Sequence, residues 1–353
     1  MTMIAVFLNG LNAVLPLFDD ETLLRLVGES YALPPRQRDP VAWAAIHVVL
    51  ALAWQHMPGT EADDNSSVRT DRTTEYLNKA QSITSQLMLG EVGLLNVQVL
   101  LGMVMILQTP RDGTAALILV SATIRLVHKL GLQNRSTSTH LDPIERRQRD
   151  RVFWLAYILD KSLSLRANQP SVQLDDDIDV DLPSSSLDLI GDEGGSGGTI
   201  VSTNGKARIN FLLARVQLAN IEGGVYDCLY STRAANRSRE ERSMARRSIV
   251  KALEEWHASI PPEFRAGVVT SNTSNNPACS SLFCVMHSTS LQCITLVNHA
   301  HAWDEQWITG LQNYSRGAQA LELPSGWQGL VGQARGFMIL FREACSSGAW
   351  FKK

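Results

Sequence analysis

The chain has 353 residues, 44% hydrophobic and 19% charged, with a formal net charge of −3 and a pI near 6.3. This composition reads as globular, with length for one to three domains, and argues against a protein that coats nucleic acid or an anionic membrane by bulk charge. The five cysteines, Cys228, Cys279, Cys284, Cys293 and Cys345, are odd in number and irregular in spacing, which argues against a disulfide framework and fits a reducing compartment.

In chain order, residues 3–18 are apolar, but the first basic residue is Arg25, so the basic flank of a signal peptide is missing and the run reads as a first helix. Residues 19–27 read as a short surface helix. Asp39-Pro40 supplies an N-cap acid and a proline at the first helical position, and the helix continues through Val41, Trp43, Ile46, Val49, Leu50 and Leu52. Residues 59–71 are polar and read as a loop. Helices are expected over 72–88, 92–108 and 114–130. The second contains the apolar run 94–107, broken by Asn96 and Gln98 and shorter than the roughly 18 residues of a membrane span, so it reads as a core helix. The third ends at Gly131, a left-handed cap, with Leu132 placed for the hydrophobic contact of a Schellman motif.

Asp142-Pro143-Ile144-Glu145 has the capping-box pattern, and opens a helix to about residue 165. Its middle, 152–159, is apolar on every side, as for a helix packed all round. The glycine- and serine-rich segment 184–206 reads as a flexible surface loop. Further helices are expected over 207–230, 240–260, 281–302 and 327–345, with a polar loop at 267–278. The helix at 240–260 carries an inward stripe of Ala245, Ile249, Leu253 and Trp256. The fold class is therefore all-α, a multi-helix bundle with a central buried helix at about 143–165.

Several constellations invite a chemical reading. Asp175, Asp176, Asp177, Asp179 and Asp181 resemble a calcium loop, but the sixth and twelfth positions from Asp177 are Leu182 and Asp188 rather than the required Gly and Glu. They read instead as an acidic turn closing on the core at Ile178, Val180 and Leu182. Gly194-Gly195-Ser196-Gly197-Gly198 fits a nucleophile elbow by letters and lacks the strand-and-helix flanks. Cys279, Cys284, His287, Cys293, His299 and His301 include metal-ligand types without a Cys-x-x-Cys pair. Arg146, Arg147, Arg149 and Arg151 sit against the helix macrodipole, so partners such as Glu145, Asp142 or Asp150 are expected. The basic stretch from Arg233 to Lys251 reads as a solvated face laced with ion pairs. Asp160 follows the apolar run, and a buried carboxylate there needs a partner, with Arg125 and Arg166 as candidates.

Three linked motifs carry a family resemblance. Arg125-Leu126-Val127-His128-Lys129-Leu130-Gly131-Leu132, then RRQRDRVFWLAYILD over 146–160, then SLRANQPSVQLDDDIDVDLP over 164–183, resemble the regulatory (middle homology) domain of fungal zinc-cluster transcription factors. Leu15-Pro16-Leu17-Phe18 with Asp20-Glu21, and Leu253-x-x-Trp256 with Ile260-Pro261-Pro262-Glu263-Phe264, extend it outward. The motif residues are Arg125, Gly131, Arg147, Arg151, Phe153, Trp154, Asp160, Pro170, Asp177 and Pro183, with no catalytic or metal-binding residue among them. The family's Gly-Arg-Pro triplet is Asn168-Gln169-Pro170 here.

The resemblance implies a nuclear regulator whose helical domain occupies residues 1–353, with truncation at both ends left open, and restrains or licenses activation, sometimes in response to a small-molecule effector. The family's DNA reader needs six cysteines for two zinc ions, and no cysteine precedes Cys228. Direct DNA binding is therefore not expected of this chain, and zinc is expected only with an upstream six-cysteine module. The expected partners are another regulator or the transcription machinery, with no membrane. The alternatives are a helical binding module outside transcription, an inactive remnant, or, last, an enzyme.

Overall fold

The computed structural model describes residues 2–57, 66–108, 113–183, 197–272, 277–301, 305–317 and 327–346. Helix α1 (Met3–Phe7) starts at the Thr2 cap and runs into a π-helical turn, Leu8–Asn12. Then follow α2 (Asp20–Ala32), α3 (Pro40–His56), α4 (Ser66–Gln81), α5 (Thr84–Leu89), α6 (Leu94–Leu107), α7 (Thr114–Lys129) and α8 (Pro143–Arg166). A small antiparallel hairpin, β1 (Thr199–Val201) and β2 (Arg208–Asn210), precedes α9 (Phe211–Val225), α10 (Thr232–Ala235), α11 (Arg239–Ser259) and α12 (Val269–Asn272). Helices α13 (Pro277–His301), α14 (Glu305–Ser315) and α15 (Trp327–Ser346) follow. The fold is all-α, and the hairpin is the only sheet among the described residues.

The start signals act as their chemistry requires. Asp19, Asp39 and Asp142 accept amide hydrogen bonds from Thr22, Ala42, and Ile144 with Glu145, respectively. At the far end of α7, Gly131 takes φ 64°, the Leu132 amide donates to the Val127 carbonyl (3.1 Å) and the Gly131 amide to His128 (3.0 Å). This is a Schellman end, and Leu132 is buried beside it.

Two helices form the centre. Helix α6 lies between α3, α7 and α8 and is buried from Asn96 to Ile106. It meets α3 so closely that a Cβ on Gly102 would stand 2.2 Å from Val48 Cγ1, so only glycine fits there. Helix α8 packs on α6, α7 and α9, and fifteen of its residues are buried, among them all of Val152 through Leu165. Each large apolar side chain sealed in this way contributes about 1.5–3 kcal/mol. Helices α11, α13 and α15 extend the same apolar cluster, which runs in sequence from Phe7 to Ala344. Helix α13 holds a stretch, Cys279–Ala300, apolar and long enough to span a bilayer, but Phe283, Met286, Cys293 and Val297 along it are buried in this cluster.

Several sequence expectations need correction. The polar segment 59–71 is helical from Ser66, because α4 is a surface helix whose contacts with α3 rest on few apolar residues; residues 58–65 lie outside the described residues. The helix expected over 72–88 breaks at 82–83 into α4 and α5. Residues 199–206 of the expected loop belong to the hairpin, where Ile200 and Ile209 face each other and are buried; residues 184–196, including Gly194 to Ser196, lie outside the described residues. A short helix, α12, occupies part of the expected loop 267–278. Helix α14 was not anticipated.

Candidate functional site

The motif residues converge on α8 and on the segment that folds back across it, residues 167–183. Asn168 opens this strap at φ 52°, with the Gln169 amide donating to the Ser164 carbonyl (2.9 Å) and the Asn168 amide to Leu165 (3.1 Å). Asparagine therefore makes the left-handed turn for which glycine is the usual residue.

Four side chains of α8 hold the strap in sequence. Asp160, fully buried, accepts the amide N–H groups of Val172 (2.9 and 3.2 Å to its two oxygens) and Gln173 (2.8 Å). Lys161 is buried beside it, donates to the Gln173 carbonyl (2.9 Å) and Ser171 Oγ (3.0 Å), and lies 3.0 Å from an Asp175 carboxylate oxygen. Tyr157 donates its hydroxyl to Asp175 Oδ1 (2.9 Å), and the Trp154 indole N–H donates to the Asp181 carbonyl (2.9 Å). Trp154, Phe153 and Tyr157 pack edge-on or tilted within one aromatic cluster. From the other side, the Asp179 amide donates to the Gln133 carbonyl (2.9 Å), His128 Nε2 pairs with Gln173 Oε1 (2.7 Å), and Arg135 is ion-paired with Asp181.

This geometry corrects the expected partners of Asp160. Arg125 is exposed on α7, and Arg166 donates to the Ser162 carbonyl and Gln108 Oε1. Burial raises the Asp160 pKa, while the amides of Gln173 and Val172, the Lys161 ammonium and Ser164 oppose the rise. A carboxylate can be held by backbone donors as well as by a cation. The acidic turn also differs in part. Ile178 and Val180 pack on the core, but Leu182 is 55% exposed. Asp177 and Pro170 are exposed and Pro183 is half-buried.

Two arginines of the basic run at the start of α8 are tied to carbonyls. Arg146 donates to Ser138, Thr139 and Leu141, and Arg149 to Leu130. These carbonyls, rather than Glu145 or Asp142, receive the guanidinium protons. Arg147 and Arg151 are both half-buried, Arg151 in the field of Asp20.

Three polar features were missed in the sequence. Leu17 carbonyl accepts from Gln98 (2.7 Å) and Gln148 (2.9 Å), and Asn12 bonds both the amide and carbonyl of Phe18, which fixes the opening motif onto α6 and α8. Arg215 and Glu222 form a buried pair (3.8 Å) joined through Ser162 Oγ, which donates to Glu222 (2.8 Å) and accepts from Arg215 (3.0 Å). The third is a capping box, Ser238 with Glu241, at the start of α11. Of the metal-ligand types on α13, Cys279, Cys284 and Cys293 are buried thiols outside any disulfide, and His287 Nε2 donates to the Phe264 carbonyl. Among the described residues no three His, Cys, Asp or Glu side chains converge as a metal site.

Farther along, Leu253 and Trp256 are buried, and the Trp256 indole N–H donates to the Ala214 carbonyl (2.8 Å). Phe264 stacks on Phe283 at 5.6 Å and an interplanar angle of 8°. In the chemistry it offers, this arrangement is a clamp: Asp160 and Lys161 hold backbone, and Tyr157 holds the Asp175 carboxylate.

A family model described as the fungal specific transcription factor domain matches residues 4–258. An ABC-transporter-regulating transcription factor of Aspergillus oryzae is 34% identical over 309 residues, 88% of this chain and 33% of its own length. The like-named factor of Aspergillus fumigatus is 33% identical over 89% of this chain and 34% of its own. The fusaridione A cluster transcription factor fsdR of Fusarium heterosporum is 26% identical over 74% of this chain and 47% of its own. The chain thus spans about a third of the length of the two Aspergillus factors. No solved structure matches.

Proposed function

The chain belongs to the fungal specific transcription factor domain family, and from that membership we propose that it is a nuclear regulatory body acting through another regulator or the transcription machinery. Its function is transcription regulation. The observation that carries the proposal is that the family-matched stretch, residues 4–258, takes in the whole clamp of α8 and its strap. The motif residues Trp154 and Asp160, with Tyr157 and Lys161 beside them, are thus among the groups that hold the helical body together.

A count of the thiols within this chain supports the route through a partner. A binuclear zinc cluster needs six thiolates and the chain has five cysteines, of which Cys279, Cys284 and Cys293 are buried in the core. A non-enzymatic role is supported by the same clamp. Asp160, Lys161 and Tyr157 are the strongest candidates for acid–base work, and all three are consumed by hydrogen bonds inside the fold.

The test is a reporter assay with the chain fused to an unrelated DNA-binding module. The fusion should change reporter output relative to the module alone, and a fluorescently tagged chain should collect in the nucleus. Output equal to that of the module alone, with the fusion expressed and folded, would refute the proposal.

A further inference from the structure

A cavity of about 210 Å³ lies where the end of α11, the turn at 265–267, α13 and α15 meet. Of its lining residues only His257 falls within the family-matched stretch; Ile260, His287, Leu291, Gln333 and Phe337 lie beyond it. The cavity is thus a feature of this chain's C-terminal helices rather than of the clamp.

Its walls are apolar at Ile260, Leu291 and Phe337, and its polar side chains are those of His257, Arg265, His287 and Gln333. His287 is 94% buried by its 6% exposure, and its Nε2 is 2.9 Å from the Phe264 carbonyl. A carbonyl only accepts, so Nε2 carries the proton and Nδ1 presents a lone pair. That lone pair has no partner among the described residues. Burial pushes the imidazolium pKa down to about 4, so the ring stays neutral at physiological pH and the lone pair persists. The other histidine is occupied: His257 pairs with Ser290 Oγ (3.0 Å) and the side chain of Gln333.

Size and charge restrict the occupant. Apolar cavities of about 150 Å³ take up benzene, so 210 Å³ has room for a bicyclic ring. No carboxylate lines the cavity to hold a cation, and its one permanent cation, Arg265, is exposed. An anion would find only that water-screened guanidinium.

We propose that this cavity binds a small uncharged aromatic molecule with one hydrogen-bond donor, about the size of indole, its donor meeting Nδ1 of His287 and its ring lying between Ile260, Leu291 and Phe337. The inference rests on the cavity and stands apart from the regulatory reading. Because α15 supplies one wall, occupancy also steadies the docking of that helix.

Titration calorimetry of the full chain tests it with two probes, indole and 1-methylindole. Indole should bind saturably, one per chain, and 1-methylindole, which lacks the N–H, about 3–10-fold more weakly. Indole should also slow amide exchange in α15. Gly332→Leu and Gly336→Leu should abolish indole binding while the chain stays folded. A Cβ at 332 meets nothing within 4 Å, and one at 336 meets Ala266 Cβ at 3.8 Å. The proposal is overturned by the absence of saturable indole binding up to its solubility, or by equal affinity for the two probes. Undiminished binding in a folded Leu variant overturns it as well. Should neither variant fold, the comparison of the two probes on the unaltered chain decides.

Discussion

At the scale of single residues, the clamp works because a few polar groups are buried next to main chain that needs them. Asp150, two turns into α8, is a case where the compensation falls short. Burial first, and then the nearby Asp181, raise its pKa from 3.8 to about 6, against Arg146, Arg149 and Arg135. The folded chain therefore holds this proton more tightly than the unfolded chain. Below pH 3.8 the group is neutral in both states and costs nothing. Between 3.8 and 6 the unfolded state ionises first, so stability falls as pH rises, and above 6 the whole penalty is present. Asp150→Asn should raise stability by about 1 kcal/mol at pH 7.5, after allowance for solvent screening of a half-buried group, and by nothing at pH 3.5. Urea midpoints at the two pH values check this; equal gains at both would point to packing instead. The cause was only partly legible. The sequence shows Asp150 among arginines, but those arginines turn to carbonyls, and the acid that matters, Asp181, arrives from the strap. The Arg215–Glu222 pair was hidden in an otherwise apolar helix. Its one signal was two opposite charges seven residues apart, two turns of the same face.

At the scale of elements, the caps were the most readable feature, since each is a local pattern with a local cause. Asp39, Asp142 and Gly131 sit where their side chains or lack of one predict. The start of α4, residues 66–71, and the hairpin were not readable in this way. The first is polar enough to pass for a loop, and the second has strands of three residues, too short to establish alternation. The two Schellman ends allow a paired prediction. Gly131→Ala forces a side chain into the left-handed region, at about 1–2 kcal/mol, and its Cβ would stand 2.6 Å from Thr137 Cγ2, so the loss should be larger still. Asn168→Gly relieves the same backbone strain and should be neutral or stabilising by a few tenths of a kcal/mol. Urea denaturation of the two variants side by side reads out the contrast; two losses of equal size would contradict it.

At the scale of the whole molecule, α8 is the part about which everything else is arranged, and the sequence showed this because a helix apolar all round has no surface to spare for water. Trp154 concentrates that role. It is 4% exposed, packs on Phe153 and Tyr157, and holds the strap through its indole N–H. Trp154→Ala should cost about 3–5 kcal/mol, a large share of the 5–15 kcal/mol typical of a folded domain. A melting temperature unchanged from the parent would remove α8 from the centre. What the sequence did not show is how the strap is gripped, since Asp160 binds main-chain N–H groups that nearly every residue type possesses. The grip at position 172 is accordingly indifferent to the side chain presented there. Mutational drift at Val172 is tolerated by Asp160 in every form except proline, the one replacement that takes the N–H away and leaves the Gln173 amide as the sole backbone donor to that carboxylate.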